Sequence, residues 1–87
     1  MTRSRQILPP EFNVEKLKQE ILYDAKIVGI AESTAEMIAE KIAAATVKWV
    51  EKRAAVTVED IHRRVAIEAE RYNADLAYVY QNRGKII

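Results

Sequence analysis

Apolar residues recur at spacings of three and four in four separate stretches of this chain, and the residues between those stretches are ones that start or stop helices. Val14, Leu17, Ile21, Ala25 and Val28 share one face of a helix of about four turns. Asn13 precedes them as an N-cap, Glu15 stands in the first turn where the helix dipole favours an acid, and Gly29 ends the run. The second stretch sets Ala35, Ile38, Ile42, Ala45 and Trp49 on one side, with Met37, Val47 and Val50 widening the stripe. Ser33-Thr34-Ala35-Glu36 reads as its capping box, and the pattern runs to about Arg53. In the third, Thr57 and Asp60 form a capping box with Asp in place of Glu or Gln, and Val58, Ile61, Val65 and Ala69 share a face. Asn73 then caps a shorter fourth helix carrying Leu76, Ala77, Val79 and Tyr80, with Gly84 expected just past its end.

The first dozen residues follow another rule. Pro9-Pro10 forbids a helix there and favours an extended path, and Arg3 and Arg5 make the segment basic. Ile7 and Leu8 suit a short edge strand or packing against the helices. The expected architecture is mostly α: an extended or strand-like segment over residues 1–12, then a compact four-helix domain over 13–87. Its core is expected to include Leu17, Ile21, Ile38, Ile42, Trp49, Ile61, Val65 and Leu76.

Composition narrows the functional classes. The 87 residues allow one domain, and 49% hydrophobic with 31% charged residues is a globular balance. Fourteen basic against thirteen acidic residues leave a charge of only +1, less than a dedicated nucleic-acid binder usually carries. Without cysteine there are no disulfides or thiolate metal sites, and a single histidine cannot build a multi-histidine zinc site within one chain. No apolar run approaches the roughly 20 residues of a membrane span, and the N-terminus carries no apolar signal region, so a cytoplasmic location is expected.

Candidates for chemistry are few. A Ser–His pair would need Ser4 or Ser33 to meet His62, and Ser33 is already explained as a cap. With only Gly29 and Gly84 there is no Gly-rich phosphate loop, and the acids suit solvated helix faces. His62 reads most simply as the edge of a helix face, and Arg63-Arg64 as a solvated one. Nothing in the pattern meets the criteria for a catalytic site, and a binding or regulatory role is expected.

One resemblance sharpens this. The string Val58-Glu59-Asp60-Ile61-His62, followed by the eight residues from Leu76 to Arg83 (LAYVYQNR), resembles the second half of an ATP-cone. That is the small nucleotide-binding regulatory domain found at the start of ribonucleotide reductases and in a bacterial repressor of their genes. The resemblance runs from Phe12 to Arg83 and includes helix lengths and capping sites. It implies a nucleotide held between an N-terminal hairpin and the first, third and fourth helices. The family's Phe-x-x-x-Lys-hydrophobic motif falls on Phe12, Lys16 and Leu17, which implies Lys16 on phosphate and Leu17 beside the base. Val58, Ile61 and His62 fall near adenine and ribose, and Arg83 matches a further phosphate contact. Of the hairpin motif Val-x-Lys-Arg-x-Gly, whose positions here are Thr2, Ser4, Arg5 and Ile7, only the arginine, Arg5, is kept. Losing a charge-assisted lysine–phosphate contact costs about 1.5–3 kcal/mol. The implied ligand is ATP or dATP with Mg²⁺. It also implies a regulated enzyme or repressor as partner, while Trp49, Val47 and Val50, which cannot all face one core, predict a second copy or a docking face along the second helix, ahead of nucleic acid.

Two other readings remain. Thr57 to Ile61 also resembles the segment entering the last helix of histone-fold proteins, which implies a DNA-binding dimer using the basic N-terminus and Arg63-Arg64. A cone-like helical module that binds only protein is the other.

Overall fold

Each apolar stretch forms a helix. The computed structural model describes residues 13–82, which fold as α1 (Val14–Ile27), α2 (Glu32–Glu51), α3 (Val58–Glu70) and α4 (Ala74–Gln81). There is no strand among the described residues. The extended or strand-like segment over 1–12 lies outside them, as do Phe12, Arg83 and Gly84.

Three helix starts follow from side-chain caps. The Asn13 carboxamide oxygen accepts the Lys16 N–H at 3.1 Å, and Asn73 accepts that of Leu76 at 2.9 Å. At α3 the capping box closes both ways: Thr57 Oγ1 accepts the Asp60 N–H at 3.0 Å, and Asp60 Oδ2 accepts the Thr57 N–H at 3.2 Å. The end of α1 is a Schellman turn. Gly29 takes φ +84°, its N–H bonds to Lys26 O, and the Ile30 N–H reaches back to Ala25 O at 2.9 Å.

That turn explains why the expected cap of α2 is not used. Ile30 packs against the core, so the chain returns to helix at Glu32 behind Ala31, and Ser33 and Thr34 fall inside the first turn. The N-cap Ala31 makes no side-chain bond. At its other end α2 stops at Glu51 rather than Arg53, with Lys52 as C-cap.

The helices close into a ring. α1 packs on α2, α2 on α3, α3 on α4, and α4 returns to α1, while the diagonal pairs make no close backbone approach. The expected faces turn inward: Ile21, Ile42, Ile61, Val65 and Leu76 are fully buried, and Leu17 and Ile38 nearly so. Trp49 sits at the edge of this core rather than within it. Two acids depart from the expected solvated faces. Asp24, three residues on from Ile21, shares the inner side of α1 and is buried. Glu68 is buried too, clamped by Arg64 at 2.7 Å and Arg71 at 3.5 Å. Burying a carboxylate is tolerable here because cations meet it from either side along the helix.

Candidate functional site

Because the backbones of α1 and α3 stand diagonally apart in the ring, a cleft remains between their first turns and the last turn of α4. Its volume is about 220 Å³. Five of the seven residues singled out from sequence line it: Lys16, Leu17, Val58, Ile61 and His62. The other two, Arg5 and Arg83, lie outside the described residues.

The floor is apolar. Leu17 from α1 and Ile61 from α3 are both buried, and Val58 stands half-buried beside them. The capping box of Thr57 holds Val58 and Ile61 in the first turn of α3, which fixes where they point. His62 is exposed at the rim and meets Tyr80 edge-on, ring centroids 5.4 Å apart at 76°. Such a T-shaped pair is the favoured aromatic geometry and holds the imidazole against α4.

Charge enters along α1. Lys16 occupies the first turn, where backbone N–H groups and the helix dipole already favour an anion. Glu20, one turn further along, also lines the cleft, so positive potential concentrates toward Asn13 and Lys16. At the base of α3, Asp60 is held below the usual carboxylate range. The backbone N–H of Thr57 is the main cause, its side chain the next, and the Arg63 guanidinium 3.3 Å away adds to them.

Three lining residues were not picked out as site residues from the sequence: Asn13, Glu20 and Tyr80. Asn13 and Glu20 flank Lys16 at helical spacing and follow from the period once Lys16 is placed. Tyr80 comes from the far end of the chain, and only ring closure brings it in.

The arrangement suits a flat, largely apolar body against Leu17 and Ile61 with an anionic end at Lys16. None of the lining residues is a serine, threonine or cysteine, and the described residues contain no group of three or more His, Asp or Glu able to hold a metal. A larger cleft of about 450 Å³ runs between α1 and α2, but Glu15, Glu36 and Glu40 line it against the single cation Lys18. That charge repels phosphate, so size alone does not mark the site. Compared with models of known protein families, with curated proteins and with solved structures, the chain matches none of them.

Proposed function

We propose that the cleft between α1, α3 and α4 binds an adenine nucleotide, ATP or dATP, and that the domain uses it to regulate a partner enzyme or repressor in the manner of an ATP-cone. What supports this reading is convergence. Residues from two distant segments, matched to the family by sequence alone, line one cleft between α1, α3 and α4.

In this reading the purine lies between Leu17 and Ile61, with Val58 beside it and the His62–Tyr80 pair at the ribose. About 220 Å³ is less than the roughly 300–1,000 Å³ of a drug-sized pocket and accommodates the base with part of the sugar. The phosphates then run outward over the start of α1, where Lys16 and the first-turn amides supply donors and Glu20 repels them from the opposite direction. Arg5 and Arg83 add further cations, and Mg²⁺ accompanying the nucleotide neutralises part of the phosphate charge. No catalytic group is required, since regulation needs only differential binding between two states of the assembly.

Titration of the amide NMR spectrum with ATP and with dATP tests the proposal. Shifts are expected at Lys16, Leu17, Ile61 and His62, with a Kd of about 10⁻⁵ to 10⁻³ M given the single cation kept in the hairpin motif. Lys16→Ala combined with Arg83→Ala should abolish those shifts while the helical circular dichroism is unchanged. If saturating ATP moves no amide around the cleft, the nucleotide reading is lost and a module that binds only protein takes its place. A DNA duplex titrated in parallel distinguishes the histone-like alternative.

A further inference from the structure

The end of the ring at the α2–α3 connection carries a second feature, independent of the cleft. Trp49, the only tryptophan in the chain, lies at the edge of the core under two guanidinium groups, Arg53 at 4.6 Å and Arg64 at 5.7 Å from the ring centroid. Arg64 is half-buried and spends one nitrogen on Glu68. Arg53 is exposed, and among the described residues no carboxylate lies within ion-pair distance of it. Arg63, also exposed, meets Asp60 on its own helix at 3.3 Å and no other carboxylate among the described residues. These three arginines line one groove of about 340 Å³, whose apolar wall is Val56 and Ile67, the latter 48% exposed.

We infer that this groove is a docking surface for an acidic, aliphatic-containing segment of a partner protein. Stacking on Trp49 fixes the Arg53 guanidinium before any partner arrives, so a carboxylate meets a planar fork already oriented. Arg63 gives up little to join it, because its bond to Asp60 is an exposed pair of the kind that holds weakly. Ile67 offers an apolar contact that a purely electrostatic site would lack. A nucleic acid fits less well. The Trp49 ring is taken by guanidinium groups rather than left open for a base to stack on.

Trp49 makes the test direct, since its fluorescence reports on this groove and no other. The probe is a short peptide of glutamate and leucine, with a glutamine–leucine peptide and a single-stranded oligonucleotide alongside. The acidic peptide should shift Trp49 emission saturably and lose its effect as salt rises to about 0.5 M. Arg53→Gln with Arg63→Gln should weaken it about tenfold with unchanged circular dichroism. Arg53→Lys, which keeps charge without the planar fork, should fall between. Three outcomes overturn the inference: no emission change with the acidic peptide, equal binding of the glutamine peptide, or tighter binding of the oligonucleotide.

Discussion

Asp60 shows how one side chain ties stability to pH. Its carboxylate accepts the Thr57 N–H that α3 would otherwise leave without a partner, and this bond is the main reason its pKa lies below the ordinary value. A group whose folded pKa is depressed stabilises the fold fully above its unfolded value, near 3.8 for an aspartate, and loses that contribution as pH falls through the lower folded value. Thermal midpoints measured between about pH 2 and 5 should therefore decline partly through Asp60. Asp60→Asn should flatten that acid limb and lower the midpoint at neutral pH. An unchanged acid slope would mean that Asp60 does not carry it. At the same scale Arg64 does two jobs, neutralising Glu68 and covering Trp49, which is why it is withdrawn from the solvated face while Arg63 beside it stays exposed.

Among the elements, α2 is the one left without a side-chain cap. Ala31 stands at its N-cap with φ −60° and ψ 146°, an extended conformation that serine or aspartate adopts without strain. Ala31→Asp is expected to stabilise the domain by about 1 kcal/mol, by accepting a first-turn N–H and placing a negative charge at the helix start. Denaturant unfolding measures it, and a variant no more stable than the parent would show those amides already satisfied. The same helix leaves less apolar surface outside than its widened stripe implies. Val50 is buried and Trp49 is held between the core and two arginines, leaving Met37 and half-buried Val47 outside.

For the whole molecule, ring closure makes one core of four short helices, and no helix buries its face without its neighbours. Ile42 is fully inaccessible within that core. Truncating it to alanine should cost about 2–5 kcal/mol. Small domains hold only about 5–15 kcal/mol in total, so the loss should appear as one cooperative shift seen alike by far-UV circular dichroism and Trp49 fluorescence. Two separate transitions would mean that the α1–α2 and α3–α4 pairs fold independently. Among the described residues no helix is long and apolar enough to cross a membrane.

What the sequence determined by itself is whatever depends on residues three or four apart. The helical periods, the caps at Asn13, Thr57 and Asn73, and the Gly29 stop are all of this kind, because cap and period are local geometry. Lys16, Leu17, Val58, Ile61 and His62 could be named through a resemblance, but nothing local said that they share a cleft. The tertiary structure decided the rest. It drew Tyr80 against His62, buried Asp24 and Glu68, folded Arg53 and Arg64 over Trp49, and moved the start of α2 ahead of Ser33. Each of these depends on where a distant helix or a packed neighbour such as Ile30 stands once the ring has closed. A cap preference of about 1 kcal/mol yields when core packing sets the path of the chain.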